Sequence, residues 1–244
     1  MQNNFFCNNP YINLYNRPSI NSKISSQIIY GEKFKVFKKV KNFLKIKTFY
    51  DRYHGYIKNK KFINKIKPTH KVKVLKTKIY KSNNFLPFSS EIEILKRKKN
   101  YVMFEKNKWI KQKDITPINK KEKNFVKIFK SYLNCKYKWG GKTYHGIDCS
   151  ALVQLFYKFN NKFFPRDTID QIKYKKGIIT KKKFKPGDII YWKGHVAVCI
   201  NSKKFIHAYG PRKKVLVMKT NFAIELIKKT SKLLVKKISN IKNY

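Results

Sequence analysis

The chain has 244 residues, 42% of them apolar, which is enough to fill the cores of two or three small domains. Its 59 Lys and Arg against 12 Asp and Glu give a formal net charge of +47, which invites a nucleic-acid partner. The cations are mostly Lys, however, and accompany many Asn, Ile, Phe and Tyr, the mixture that an A+T-rich genome produces. We therefore favour compositional drift and expect no specific nucleic-acid partner. No apolar stretch approaches the roughly 18 residues that a membrane span requires.

The cysteines bear on metal binding and on the cellular compartment. Cys7, Cys135, Cys149 and Cys199 show neither Cys-x-x-Cys metal spacing nor the density of a disulfide framework. Free thiols in a reducing compartment are the simplest account, and we expect neither a metal nor a cofactor. Residues 1–17 lack the basic segment and apolar run of a Sec signal. The sequence therefore predicts a cytoplasmic protein, although other export routes stay open.

The front half, up to about residue 119, has the pattern of short β-strands. Phe34 and Val36 alternate with lysines, which is typical of half-buried strands, and a weak internal repeat follows. The spacing of the repeat is about that of one small barrel. We predict two five- or six-stranded barrels at about 11–67 and 70–118, with one larger all-β domain as the alternative.

The second half, 120–244, alternates helical and extended patterns, and this predicts an α+β domain. An amphipathic helix is expected near 125–133, and a second one begins at Cys149 and buries one apolar face. The other predicted elements are a short helix opened by a capping box at 168–171, strands at 189–192, 195–200, 204–209 and 214–218, a helix at 223–229 and a strand at 233–238.

Cys149 is the predicted nucleophile. A thiol in the first turn of a helix faces unpaired backbone N–H groups and the positive end of the helix dipole, and both favour the thiolate. Cys199 lies in the middle of an apolar strand without such support, and Cys135 follows a helix, where the dipole has the wrong sign.

Two of the five histidines lie in one predicted hairpin, where they can serve this cysteine. If a three-residue turn at 201–203 closes the hairpin, His207 lies diagonally opposite His195 on the same sheet face. We therefore predict His195 as the general base and His207 as the group that orients it.

These residues resemble the NlpC/P60 family of papain-like cell-wall peptidases. The resemblance spans about 120–240, and its one departure is Ala151 where the family usually has Gly. It implies a papain-like catalytic domain, with helices packed on an antiparallel sheet, and a tyrosine beside the catalytic sulfur near the oxyanion, here Tyr137. The segments that carry it are Tyr137-Lys138-Trp139-Gly140-Gly141, Gly146-Ile147-Asp148-Cys149-Ser150-Ala151-Leu152-Val153, Phe164-Pro165-Arg166-Asp167-Thr168-Ile169-Asp170-Gln171, Pro186-Gly187-Asp188-Ile189, Gly194-His195-Val196-Ala197-Val198 and Phe205-Ile206-His207-Ala208.

The front half resembles paired bacterial SH3 domains through Tyr30-Gly31-Glu32 and Asp51-Arg52-Tyr53-His54-Gly55-Tyr56-Ile57. Two such domains before an NlpC/P60 domain is the layout of γ-D-glutamyl-L-diamino acid endopeptidases of murein peptide recycling. The resemblance implies that the free amine of a terminal L-Ala is bound by Asp148, Ser150, Thr168, Glu32 and Tyr53. A substrate without that amine would be expected to leave Asp148 buried and unpaired.

The sequence thus predicts a cysteine peptidase that cleaves the γ-D-glutamyl–diamino acid bond of short murein peptides with a free N-terminal L-Ala. Its partner is the peptidoglycan-derived peptide, and the oligomeric state is not specified. Two alternatives stay open at this point. One is a papain-like amidase or acyltransferase that acts on another amide or lipid, and the other is a non-catalytic SH3 protein that binds cell wall or polyanions.

Overall fold

The computed structural model describes residues 4–174, 176–180 and 183–243. The chain forms two compact units. Unit 1 comprises the residues up to Lys121 together with 139–144 and 159–161, and unit 2 comprises 122–138, 145–158 and the residues from Lys162 onward. Tyr244, the predicted end of the catalytic domain, lies outside the described residues.

Unit 1 is built from strands in several small antiparallel sheets. Its largest sheet has six strands in the order β1-β4-β5-β6-β2-β3, and three smaller sheets follow the orders β10-β7-β14, β11-β12-β13 and β8-β9. The strands are β1 (Asn4–Phe6), β2 (Tyr11–Tyr15), β3 (Ile24–Ile29), β4 (Lys33–Val40), β5 (Phe43–Thr48), β6 (His54–Lys58), β7 (His70–Val72), β8 (Lys76–Lys78), β9 (Phe85–Pro87), β10 (Glu91–Ile92), β11 (Lys96–Lys98), β12 (Tyr101–Glu105), β13 (Lys108–Lys111), β14 (Ile115–Pro117) and β15 (Lys142–Thr143).

Two hydrophobic clusters fill unit 1, and they follow the predicted division of the front half. One contains Leu14, Phe34 and Ile46 from the six-stranded sheet. The other contains Val72 and Val102 from the later strands. The first sheet begins at β1, which pairs with β4 and lies before the predicted start at residue 11. Both clusters belong to one compact unit, so the boundaries of the two barrels stay a prediction.

Unit 2 has a five-stranded antiparallel sheet in the order β20-β19-β18-β17-β21. This sheet and the accompanying helices confirm the predicted α+β class. The elements are α1 (Phe125–Ser131), β16 (Gly146–Ile147), α2 (Cys149–Phe159), α3 (Thr168–Lys173), β17 (Asp188–Trp192), β18 (His195–Cys199), β19 (Lys204–Tyr209), β20 (Lys214–Lys219), α4 (Thr220–Ser231) and β21 (Val235–Asn240).

Helix α2 begins at Cys149 because Asp148 caps it. The Asp148 carboxylate accepts a hydrogen bond from the backbone N–H of Ala151 at 2.8 Å, and its carbonyl oxygen accepts from the N–H of Leu152 at 3.1 Å. An Asp at this position satisfies N–H groups that have no partner within the helix. The aspartate before the cysteine therefore fixes where the helix starts.

Strands β18 and β19 pair in the predicted register. Val198 lies opposite Ile206, Cys199 lies opposite Phe205, and the N–H of Ile200 donates to the carbonyl of Lys204. These pairs place alternate residues from His195 on one sheet face. Part of that face packs against α4 in a buried cluster that includes Ala197, Cys199, Phe205, Tyr209, Ala223 and Ile227.

The structure corrects three of the predicted elements. Helix α3 starts at Thr168 and follows Asp167, which makes no side-chain capping bond, so the predicted capping box is wrong. Helix α4 begins three residues before the predicted 223, because the polar residues of its first turn hide its start. Strand β21 begins at Val235, two residues after the predicted start at 233.

No helix in the described part of the chain combines the length and the hydropathy that crossing a membrane requires.

Candidate active site

Cys149 is the first residue of α2, and its side chain is buried. Its Sγ lies 4.0 Å from the carbonyl oxygen of Gly194. Hydrogen bonds from the backbone N–H of Val196 and from the Thr168 side chain also reach the sulfur. Since Gly194 and Val196 flank His195, the sulfur lies against the backbone on both sides of the predicted base.

The expected resting thiolate is not supported. Burial and, to a smaller extent, the charge of Asp148 raise the pKa of the Cys149 thiol to about 12. The Val196 N–H, the Thr168 hydroxyl and Arg166 act in the opposite direction but do not offset burial. The expectation from the helix terminus was therefore wrong for the unliganded protein, and the sulfur needs a base to remove its proton.

His195 and His207 form a buried imidazole pair. The Nε2 of His195 and the Nδ1 of His207 are 2.9 Å apart, so the diagonal contact expected from the hairpin register is present. Burial lowers the pKa of His195 to about 4. Burial, and then the charge of His195, lower the pKa of His207 well below its usual value. Both rings are therefore neutral in the resting site, and His195 can accept a proton.

Met218 determines which nitrogens of the pair carry protons. The Nε2 of His207 lies 3.3 Å from the thioether sulfur of Met218, which can only accept a hydrogen bond. We assign the proton of His207 to Nε2 on this ground, so its Nδ1 accepts from the Nε2–H of His195. This tautomer leaves the lone pair of the neutral His195 ring on Nδ1.

In this tautomer, Nδ1 of His195 is the nitrogen that can accept the thiol proton. Nδ1 is the ring nitrogen nearer the backbone, and the backbone around His195 is where the sulfur lies. Among the described residues no hydrogen bond joins the Cys149 sulfur to an imidazole nitrogen. Catalytic hydrogen bonds often close only when substrate binds, and we expect this one to close in that way.

Tyr137 lies near the same sulfur. Burial raises the pKa of its hydroxyl, and the charges of Cys149 and Asp148 raise it further. The phenol therefore stays protonated and can donate a hydrogen bond to developing negative charge. This property fits the predicted position beside the oxyanion, and the role itself stays a prediction.

Asp148 and Ser150 are engaged with a residue whose role the sequence did not reveal. Arg166 donates from Nη2 to one Asp148 oxygen at 2.7 Å and from Nη1 to the other at 3.0 Å. Its Nη1 also lies 2.9 Å from the Ser150 hydroxyl, which donates to Asp148. The expectation that Asp148 is unpaired without a substrate amine is therefore wrong. The only signal for Arg166 was its place in the family-like segment 164–171.

Glu32 and Tyr53 belong to unit 1. The buried Glu32 carboxylate accepts from the Lys142 ammonium at 3.0 and 3.4 Å and from the backbone N–H of Ile29 at 2.9 Å. Tyr53 is half-buried against the core of the six-stranded sheet, and its N–H donates to the Thr48 hydroxyl at 2.8 Å. These contacts show how Glu32 and Tyr53 are held within unit 1. A role of either residue in substrate binding stays a prediction.

The pH dependence of catalysis should reflect the lowered pKa of His195. The base acts in its neutral form, so activity is lost when pH falls through the pKa of the folded protein, about 4, and not through the ordinary 6.5. We expect kcat/KM to change less than about twofold between pH 7 and pH 5, whereas an unshifted imidazole would cause a loss of about twentyfold. Steady-state rates over this range, with circular dichroism to confirm folding, test this expectation. A midpoint near 6.5 would contradict it.

Comparison with known families agrees with this geometry. Residues 134–230, which hold the cysteine and both histidines, match the NlpC/P60 family. The catalytic candidates of this chain thus lie in the segment that matches the NlpC/P60 family. Residues 14–62 match the bacterial dipeptidyl-peptidase SH3 domain, and this segment precedes the one that matches the NlpC/P60 family. The resemblance to the NlpC/P60 family and to a bacterial SH3 domain is thereby confirmed, and a second SH3 domain at 70–118 stays a prediction.

Curated relatives extend the comparison beyond the NlpC/P60 domain. Dipeptidyl-peptidase 6 of Lysinibacillus sphaericus is 24% identical over 230 residues, which cover 80% of this chain and 84% of the relative. The γ-D-glutamyl-L-lysine dipeptidyl-peptidase of Bacillus subtilis (strain 168) is 26% identical over 189 residues, which cover 68% of this chain and 63% of the relative.

A solved structure of an NlpC/P60 family protein from Bacillus cereus superposes with a TM-score of 0.77. It covers 89% of this chain and 94% of its own, at 18% sequence identity. At that identity the likeness establishes a shared fold.

Proposed function

We propose that the protein is a cysteine peptidase that hydrolyses the γ-D-glutamyl–diamino acid bond of short murein peptides with a free N-terminal L-Ala. The observation that carries the proposal is the thiol of Cys149, which lies at the start of a helix against the backbone of His195, itself paired with His207. A thiol beside a neutral imidazole that a second group orients is the arrangement that cysteine hydrolases use.

The proposed reaction has two stages. Nδ1 of His195 accepts the thiol proton as Sγ attacks the γ-carbonyl carbon of D-Glu, and the carbonyl oxygen becomes an oxyanion. The backbone N–H of Cys149 and the Tyr137 hydroxyl stabilise this charge. The imidazolium then protonates the leaving amine of the diamino acid, and a thioester of L-Ala-γ-D-Glu stays on the sulfur. Water, deprotonated by His195, hydrolyses the thioester and restores the thiol.

The substrate assignment rests on the relatives. One is named for γ-D-glutamyl-L-lysine, and both are named dipeptidyl-peptidases, a term for enzymes that release dipeptides from the N-terminus of a peptide. Asp148 and Ser150 engage Arg166, and the Thr168 hydroxyl bonds the sulfur. The support for a free N-terminus therefore comes from these names and not from an unpaired carboxylate. A cytoplasmic location, predicted from the sequence, is part of the same proposal.

Product analysis tests the proposal. L-Ala-γ-D-Glu-L-Lys, its diaminopimelate counterpart and the N-acetylated form of each are incubated with the full chain, and the products are identified by mass spectrometry. We expect the dipeptide L-Ala-D-Glu and the free diamino acid, with the acetylated peptides cleaved at least about 100-fold more slowly. Equal cleavage of the acetylated peptides would remove the free-amine requirement. Hydrolysis of unrelated amides or esters, with these peptides left intact, would favour the amidase alternative.

A further inference from the structure

We propose that Arg166 is a positioning residue of the peptidase reaction. Its guanidinium hydrogen-bonds to Asp148 and Ser150 and so fixes the helical turn that carries the attacking Cys149. The proposal rests on Cys149 as the nucleophile of the proposed function. It is independent of which peptide the enzyme cleaves.

The guanidinium bridges the two residues that flank the nucleophile. Two parallel N–H groups bond the two Asp148 oxygens at 2.7 and 3.0 Å, which is the bidentate geometry that only Arg provides. Nη1 also bonds the Ser150 hydroxyl at 2.9 Å. The Arg166 side chain is buried, as are Asp148 and Ser150, so water does not weaken these bonds.

The neighbours of Arg166 in sequence hold the same turn. Thr168 bonds the Cys149 sulfur, and the Gln171 amide donates to the carbonyl of Ser150 at 3.0 Å and to that of Pro165 at 2.8 Å. Three side chains within six residues thus contact the consecutive residues Asp148, Cys149 and Ser150.

The positive charge of Arg166 also affects the pKa of the Cys149 thiol. Asp148 raises the pKa of the Cys149 thiol, and Arg166 lowers it. The other titratable groups at the sulfur are Tyr137, which stays protonated, and His195, which is neutral at rest. Removing Arg166 would therefore leave Asp148 as an uncompensated negative charge beside a sulfur that has to become negative.

Alkylation of Cys149 by iodoacetamide separates positioning from stability. Below the thiol pKa the rate follows the thiolate fraction, and peptide mapping reads Cys149 separately from the other cysteines. We expect Arg166→Gln to slow alkylation at pH 7.5 by about tenfold and to lower kcat/KM by at least about tenfold. The control Arg212→Gln removes the same charge from an exposed position in unit 2 and should change neither rate.

Two further variants keep the test decisive if Arg166→Gln fails to fold. Arg166→Lys keeps the positive charge but loses the bidentate hydrogen bonding of the guanidinium. The alkylation rate should therefore stay within about twofold of wild type while kcat/KM falls. Asp148→Asn/Arg166→Gln removes both charges, so alkylation should recover towards the wild-type rate.

The proposal is overturned if neither Arg166 variant changes kcat/KM beyond its loss of folded protein, or if Arg166→Gln leaves the alkylation rate unchanged. Because alkylation needs no peptide substrate, a failure of the substrate assignment would leave this readout intact.

Discussion

Replacing Cys149 with alanine is expected to reduce hydrolysis of L-Ala-γ-D-Glu-L-Lys by at least about 10⁴-fold, because the variant has no nucleophile to form the thioester. The fold should survive, since Ala favours the first turn of α2 and the Asp148 cap does not depend on the sulfur. Turnover measured by chromatography, together with the thermal unfolding midpoint, tests both parts.

The other buried cysteines of unit 2 supply matched controls. Cys199 is the last residue of β18, and Cys135 follows α1. Cys199→Ala and Cys135→Ala each remove a buried thiol of the same size and should keep at least about half of the wild-type kcat. Wild-type turnover by Cys149→Ala, or loss of turnover in a folded Cys199→Ala protein, would contradict the assignment of the nucleophile.

The largest expected effect on stability concerns Lys142 in unit 1. Its ammonium bonds Glu32 at 3.0 Å, with the two side chains 2% and 4% exposed, and its backbone N–H donates to the Gln27 amide oxygen at 2.8 Å. Lys142→Met would leave the Glu32 carboxylate buried without its cation. Breaking one partner of such a pair costs about 3–5 kcal/mol, and we expect the free energy of unfolding of unit 1 to fall by that amount in urea titrations.

Two companion variants identify the cause of that loss. Lys38→Met removes an exposed lysine of β4 and should change the free energy of unfolding by less than about 0.5 kcal/mol. Glu32→Gln/Lys142→Met removes both charges and should recover at least half of the loss, since an amide is cheaper to bury than a carboxylate. A cost for Lys142→Met below about 1 kcal/mol would show that the pair does not stabilise unit 1.

Local sequence patterns predicted much of unit 2. The apolar period of α2 and the aspartate before it define where the helix begins, so the position of Cys149 followed from adjacent residues. A three-residue turn fixes the register of β18 and β19, and this register brings His195 and His207 together. Both inferences depend on residues close in sequence, where geometry leaves few choices.

The contacts that the sequence did not reveal join distant residues. Arg166 reaches Asp148 across 18 positions, and Lys142 reaches Glu32 across 110. Neither pair shows a periodic signal, because a charged side chain has many potential partners until the chain has folded. The predicted capping box is wrong for a related reason, since Thr168 is the first residue of α3 and its hydroxyl bonds the sulfur of the distant Cys149.

The protonation states of the site residues could not be predicted from the sequence either. A helix N-terminus favours a thiolate, but the pKa of Cys149 depends mainly on burial, which is a property of the folded chain. The same holds for His195, whose pKa falls to about 4 through burial. The sequence therefore indicated which groups react but not the protonation states in which they rest.

Titrating activity against modification of the Cys149 sulfur tests the assignment of the nucleophile most directly. The full chain is alkylated to increasing extents with iodoacetamide, with and without the tripeptide, and each sample is assayed for turnover and mapped by mass spectrometry. We expect activity to fall in direct proportion to the fraction of Cys149 alkylated, and the tripeptide to slow both the alkylation and the loss of activity. Turnover that persists with Cys149 fully alkylated, or that disappears while Cys149 is unmodified, would contradict that assignment.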